Sequence, residues 1–182
     1  MDYAIITVRS ASTRLPKKCF LKFGDKSVLE HVIKRTKSLN LIPIVCTTKN
    51  HEDDEIENIA KESEAKIYRG PSKNKLLRWY KCCVENNIDY FHTVDADDPF
   101  FCGKEIFRSL KLLVDKNLDF VEPSPSSCNG GATVGYSIRR KFLKKVCDDL
   151  NGEKDTEMIS EYLYKVPTKN YSQLEDPSNS II

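Results

Sequence analysis

The chain has 182 residues, with 29 Lys and Arg against 27 Asp and Glu, a formal charge of +2 and 40% hydrophobic residues. That describes one domain able to build a proper core, without the basic excess of a nucleic-acid binder or an apolar stretch long enough for a membrane span. Its seven cysteines are an odd number with no Cys-x-x-Cys pair, which points to neither a disulfide framework nor a zinc site.

The first strand is expected directly after Met1 and Asp2, leaving no room for a signal peptide, so the chain reads as cytoplasmic. Tyr3-Ala-Ile-Ile-Thr-Val8 has the length and β-branched content of a buried strand. Arg9-Ser10-Ala11-Ser12-Thr13-Arg14-Leu15-Pro16-Lys17-Lys18 follows at once. Small residues leave backbone N–H groups uncovered, and two arginines and two lysines add positive charge. The stretch is either an anion cradle suited to polyphosphate or a basic surface turn. Ser27 and Glu30 form a capping box for a helix that buries Leu29, Val32 and Ile33. Residues 42–47 are the second strand, with Pro43 near its start, where a missing donor is tolerated. The acids after His51 suit the positive end of the next helix. A short strand over 65–68 and a Gly70-Pro71-Ser72 loop precede a helix carrying Leu76, Leu77, Tyr80 and Val84. Arg78 on that helix faces either the strand ends or solvent.

Residues 89–94 read as the central strand, and Asp95, Asp97 and Asp98 follow within four positions. Such carboxylates repel one another unless a cation neutralises them. Mg²⁺ recruits one or two carboxylates together with substrate phosphates. An acidic turn is the other reading, with Asp98 capping a helix that starts at Pro99. A helix over 105–116, a strand over 118–121, a turn-rich loop to Gly131, a strand over 132–138 and a helix over 139–150 complete the pattern. Strands alternating with helices predict a three-layer α/β/α sandwich with a mainly parallel mixed sheet. Ligands of such sheets bind at the carboxyl ends of the strands. The basic loop after the first strand and the acidic loop after the central strand therefore share one rim, as nucleotidyl transfer requires.

The pattern R-x-x-S-T-R-L-P-x-K directly after a first strand resembles the signature of the sugar-acid cytidylyltransferases. These include the CMP-KDO synthetases, the CMP-sialic acid synthetases and the spore-coat polysaccharide proteins. Further landmarks are similar: the Glu52-Asp53-Asp54 run, Gly70 with Leu76, Arg78 and Tyr80, and Asp97 with Pro99 in a G-D-x-P pattern. The resemblance implies a nucleotide-diphospho-sugar transferase fold. It also implies CMP transfer from CTP to a sugar acid or related small-molecule acceptor, with release of pyrophosphate, for cell-surface polysaccharide or glycoconjugate synthesis. On that basis Arg14, Lys18 and Asp97 are catalytic. Arg9, Ser10, Ala11, Ser12, Thr13, Arg14, Lys18, Thr47, Ser72, Arg78 and Asp95 bind the nucleotide. Gly131, Thr133, Tyr136 and Glu157 hold the acceptor. Mg²⁺, with Mn²⁺ as a substitute, sits on Asp97 and Glu175, and residues 131–165 serve the acceptor site and a homodimer contact. The apolar Ala132, Val134, Tyr136, Ile138 and Phe142 add to the expectation of a homodimer. No nucleic-acid or membrane partner is expected. Lys17 stands where relatives have glycine, Asn74 where they have aspartate, and Thr133 and Gly135 where they carry acids. Asp95 and Asp97 also form a D-x-D pattern, as in a metal-dependent glycosyltransferase, and the departures suit a nucleotide-binding protein without activity.

Overall fold

The computed structural model describes residues 1–11, 15–128, 135–150, 155–168 and 170–176. Strand β1 (Tyr3–Thr7) shows why the sheet has a core on each face. Ala4 and Ile6 of β1, with Val8 just beyond it, enter one apolar cluster, and Ile5 enters the other. That is the period-two alternation of a strand covered on both faces. On the first face lie α1 (Val28–Ser38), α2 (Asp54–Glu62) and α4 (Gly103–Asp115), contributing among others Leu29, Ile33, Ile56, Ile106 and Leu110. On the second lie α3 (Lys75–Glu85) and α5 (Arg140–Asp149), with Leu76, Trp79, Phe142 and Val146. The expected capping box is present, with the Ser27 side chain accepting from the Glu30 N–H and the Glu30 carboxylate accepting from the Ser27 N–H.

The remaining strands are β2 (Lys22–Phe23), β3 (Lys26–Ser27), β4 (Ile42–Thr48), β5 (Lys66–Gly70), β6 (Tyr90–Asp95), β7 (Phe120–Glu122), β8 (Ser137–Arg139) and β9 (Tyr171–Gln173). Seven of them form one sheet in the order β5-β4-β1-β6-β8-β7-β9. Strand β8 runs antiparallel to β6 and β7, and the other pairings are parallel. The predicted mixed, mainly parallel sheet between helical layers is therefore present. Pro43 fits its strand for a specific reason. Ile42 donates to the Asp2 carbonyl on the β1 side, so the missing N–H of Pro43 faces β5, where pairing starts only at Ile44.

Three expectations need correction. The helix after the acidic loop does not begin at Pro99. Asp98 Oδ1 instead accepts from the Phe100 N–H in a local turn, and α4 begins at Gly103. Buried Phe101 draws the chain across α1, where Arg35 donates to its carbonyl at 2.9 Å and stacks over its ring. The strand expected over 132–138 is short among the described residues, covering Ser137–Arg139, and residues 129–134 lie outside them. Finally, Ile138 and Phe142 are fully buried in the chain's own second core, so their apolar character gives no ground for a homodimer.

Candidate active site

Strands β1, β4, β5 and β6 all end on one rim, and the site is built from the loops that leave them. Ser10 anchors the first loop: its N–H and hydroxyl donate to Asp53 Oδ1 at 2.8 and 2.7 Å. Thr47 donates to Asp53 Oδ2 at 3.1 Å, and the Thr48 N–H and hydroxyl bond the same oxygen. Asp53 is thus a buried strut joining the ends of β1 and β4. Burial alone would raise its pKa, but the donors of Thr48, Ser10 and Thr47 outweigh it and hold the carboxyl below its ordinary value. The sequence read Asp53 as part of an acidic helix start and of the Glu52-Asp53-Asp54 landmark, and Ser10 and Thr47 as nucleotide contacts. The structure commits both hydroxyls to the strut.

The loop closes where the Lys17 N–H donates to the Ser10 carbonyl at 3.0 Å. Lys17 adopts φ 57° and ψ 23°, the left-handed conformation. This is the physical reason a glycine suits the position, since only glycine enters that region without a Cβ clash. Lys17→Gly is expected to raise stability by about 0.5–1 kcal/mol. Urea unfolding checks this, and an unchanged or lower midpoint would show that the loop has relaxed around the lysine. Ser12, Thr13 and Arg14 lie outside the described residues, as do Gly131 and Thr133. Ala11 is exposed at the loop's start.

Two hollows open on the rim, and Lys75, Asp95 and Glu157 line both. The smaller, about 180 Å³, carries Arg9, Lys18, Lys75 and Arg78 against Asp95, Asp97 and Glu157. Lys18 contacts Asp97, Arg9 lies 3.0 Å from Glu157, and Lys75 lies 4.0 Å from the other Glu157 oxygen. Glu157 and Asp97 are half exposed, so these pairs are weak in water and an incoming anion can replace them. Arg78 differs. It is buried, its Nη1 donates to the carbonyls of Pro71 and Ser72 at 2.6 and 3.3 Å, and its Nε has no partner. No carboxylate pairs with it among the described residues, and a buried guanidinium left so calls for an anion. Ser72 therefore serves through its carbonyl, as a brace for Arg78. Gly70 leaves room for that arginine, because an added Cβ would lie 2.8 Å from Arg78 Cγ.

Asp95 faces the cleft, open to water yet surrounded by protein. Burial raises its pKa, Lys75 lowers it, and Asp97 and Glu157 raise it again. A carboxylate so placed favours a nearby cation. No group of three or more metal-ligating side chains occurs among the described residues. Asp95 and Asp97 fit a Mg²⁺ ion that arrives with phosphates, which needs one or two protein carboxylates. Glu175 is placed elsewhere: its carbonyl accepts from Arg108 of α4, and it lines a separate hollow beside β9. The structure does not bring it to Asp97.

Sequence reasoning missed Lys75 and Thr156. Lys75 is the first residue of α3, the end of a helix that disfavours a cation, and that conflict was the signal available. Thr156, fully buried, caps the same helix by accepting from the Leu76 N–H at 3.1 Å. It thereby fixes Glu157 over the cleft. Asn74 supplies the other cap, accepting from the Leu77 N–H at 2.8 Å, a task an aspartate would perform equally well. The second hollow, about 420 Å³, is walled by Trp79, His92, Thr93, Gly135, Tyr136 and residues 157–160. Tyr136, which the resemblance implies at the acceptor site, lines this hollow, and its N–H donates to Thr93 Oγ1 at 2.8 Å. Gly135 passes so close to Thr93 that an added Cβ would fall on the Thr93 carbonyl and hydroxyl oxygens. No acidic side chain could stand at that position with this backbone.

Cations and carboxylates thus face one another on the carboxyl rim of the sheet, where open α/β sheets bind their ligands. The chain belongs to the cytidylyltransferase family: that family's profile matches residues 3–123. The 3-deoxy-manno-octulosonate cytidylyltransferase of Rickettsia felis is 29% identical over 125 residues, 65% of this chain and 50% of that protein. This chain thus spans about half the length of that relative. Among solved structures, a cytidylyltransferase from Leptospira borgpetersenii superimposes with a TM-score of 0.77 at 22% identity, covering 96% of this chain and 75% of that one. The CMP:2-keto-3-deoxy-manno-octonic acid synthetase complexed with CTP gives 0.74 at 15% identity, over 96% and 89%. At these identities the two structures establish the shared fold. No helix among the described residues is long and apolar enough to cross a membrane.

Proposed function

We propose that the chain transfers CMP from CTP to a hydroxyl group of a small-molecule acceptor, a sugar acid or a related compound. The observation that carries this reading is the smaller hollow, where four cations, one of them the buried Arg78 with its Nε unpartnered among the described residues, meet the carboxylates at and just after the end of β6. The triphosphate displaces Glu157 from Arg9 and Asp97 from Lys18, and Arg78 faces its charge. Asp97, with Asp95 beside it, would hold Mg²⁺, which when bound offsets phosphate charge and orients the phosphate oxygens. The acceptor oxygen attacks the α-phosphorus. A new P–O bond forms, the bond to the α–β bridging oxygen breaks, and pyrophosphate leaves with that electron pair. The hydroxyl proton passes to solvent. The cations stabilise charge that grows on the leaving oxygens, and the shared wall of the two hollows brings both reactants together. Calorimetric titration with the four nucleoside triphosphates in Mg²⁺ tests the reading. CTP is expected to bind most tightly, and a chain that binds no triphosphate would refute it.

A further inference from the structure

Resting on that reading, we propose that His92 is a specificity residue for the acceptor, its Nε2 pairing with a hydroxyl group of the sugar acid or related molecule in the larger hollow. The hollow opens where the sheet parts. Strand β8 pairs with β6 only as far as Ser137 opposite His92, and the Thr93 N–H then donates to the Tyr136 carbonyl at 2.8 Å. Beyond that rung Val94 and Asp95 of β6 and Pro123 after β7 line the hollow. His92, at the last rung, lines it too. Phe91 enters the core against α3, so strand alternation turns His92 to the α4 face. There Val94, Phe101 and Ile106, all apolar, belong to the other core and line the same hollow.

The ring is fully buried, and its Nε2 has no partner among the described residues. A buried polar atom left so costs stability, and a few placed polar groups in an apolar wall are what give a pocket its specificity. The neighbouring groups name the partner. The ring's Nδ1 lies 2.9 Å from Ser137 Oγ, which lies 2.8 Å from Ser109 Oγ. If Ser137 donates to Nδ1, Nε2 carries the proton and donates. If Nδ1–H donates to Ser137, Nε2 accepts. A hydroxyl matches both states, whereas an ionised carboxylate only accepts and an ammonium only donates. Burial pushes the ring's pKa down to about 3, so it stays neutral and offers an ion no charge. An acceptor lacking the hydroxyl would leave Nε2 unpaired, which such sites reject strongly.

Ring ¹⁵N resonances of the full chain, labelled at its three histidines, read the contact directly. Those missing in His92→Phe belong to His92. The chain is saturated with Mg²⁺ and α,β-methylene-CTP, which cannot transfer CMP, and titrated with 3-deoxy-manno-octulosonate, glucuronate and glucose. The two acids are expected to shift the Nε2 resonance, and glucose, which has hydroxyls but no carboxylate, to shift it as they do. A shift with the acids alone makes a carboxylate the partner and overturns the proposal, as does no shift with any of the three. Trp79, the chain's one tryptophan, stands in the wall of the same hollow, and its emission gives the affinities. His92→Phe is expected to weaken binding about tenfold or more. It should melt no lower than the wild type, because Ser137 keeps Ser109 and an unpartnered polar atom is gone. His92→Gln, whose amide both donates and accepts, is expected to bind within about threefold of the wild type. A lower melting temperature for His92→Phe with unchanged affinity would make His92 a structural residue only. Calorimetry of the nucleotide analogue separates the failures. No nucleotide binding defeats the transferase reading and this inference with it, whereas nucleotide binding with a silent Nε2 defeats this inference alone.

Discussion

Asp97→Asn is expected to lower pyrophosphate release from CTP by about a hundredfold or more, at every Mg²⁺ concentration. Asparagine keeps the shape of the side chain and removes the charge that faces the cleft beside Asp95. It also frees Lys18, the partner of Asp97 in the ligand-free protein, so CTP binding without metal should not weaken. The site is half exposed, and unfolding stability should move by less than about 0.5 kcal/mol. Wild-type turnover in Asp97→Asn would place the metal elsewhere and overturn the mechanism. Glu175→Gln decides the second ligand. A loss of activity that excess Mg²⁺ partly restores would bring Glu175 into the site despite its place beside Arg108, and no loss would remove it.

Asp53→Asn is expected to destabilise the fold by roughly 2–4 kcal/mol, since an amide nitrogen would then face donors that now bond a carboxylate. The pH dependence has a definite sign. The folded carboxyl titrates below its ordinary value, so its contribution is fully present above the unfolded value of about 3.9. It declines as pH falls below that and is lost once the folded carboxyl protonates. Melting curves of both proteins should therefore differ most at neutral pH and converge towards pH 3 and below. Equal melting temperatures at pH 7 would mean that Asp53 is not a strut. Because Ser10 hangs from Asp53, CTP affinity should fall together with stability.

The parts legible in the sequence were those settled by near neighbours. The Ser27–Glu30 box and the apolar run of the first strand are local patterns, and each appears where expected. The parts that were not legible depend on contacts across the chain. Asp53 lies 43 residues from Ser10, and nothing near it in sequence separates it from the acids on either side, two of which, Asp54 and Glu57, pair with Arg69. The strand expected over 132–138 is present among the described residues as Ser137–Arg139, but its place between β6 and β7 is chosen by pairing across the chain. Pro99 looked like a helix start because Asp-Pro often is one, but the burial of Phe101 decides that region. Of the site itself, Arg9, Lys18, Asp95, Asp97, Tyr136 and Glu157 were named in advance and line the two hollows.

The place of β8 also bears on how the protein comes into being. In the finished sheet β6 meets β1 on one side and β8 on the other, and β7 pairs with β8 and β9. While the ribosome is making the first 123 residues, the span that carries the family signature, β6 has a bare flank and β7 has no neighbour. A nascent chain stalled there would present an apolar, unpaired strand edge, the kind that recruits other chains. Emergence of Ser137–Arg139 closes that edge from both sides. The early-made residues of the proposed site thus share a sheet that is closed by a three-residue strand made late, and a shortened chain ending near Glu122 should need a chaperone where the full one does not.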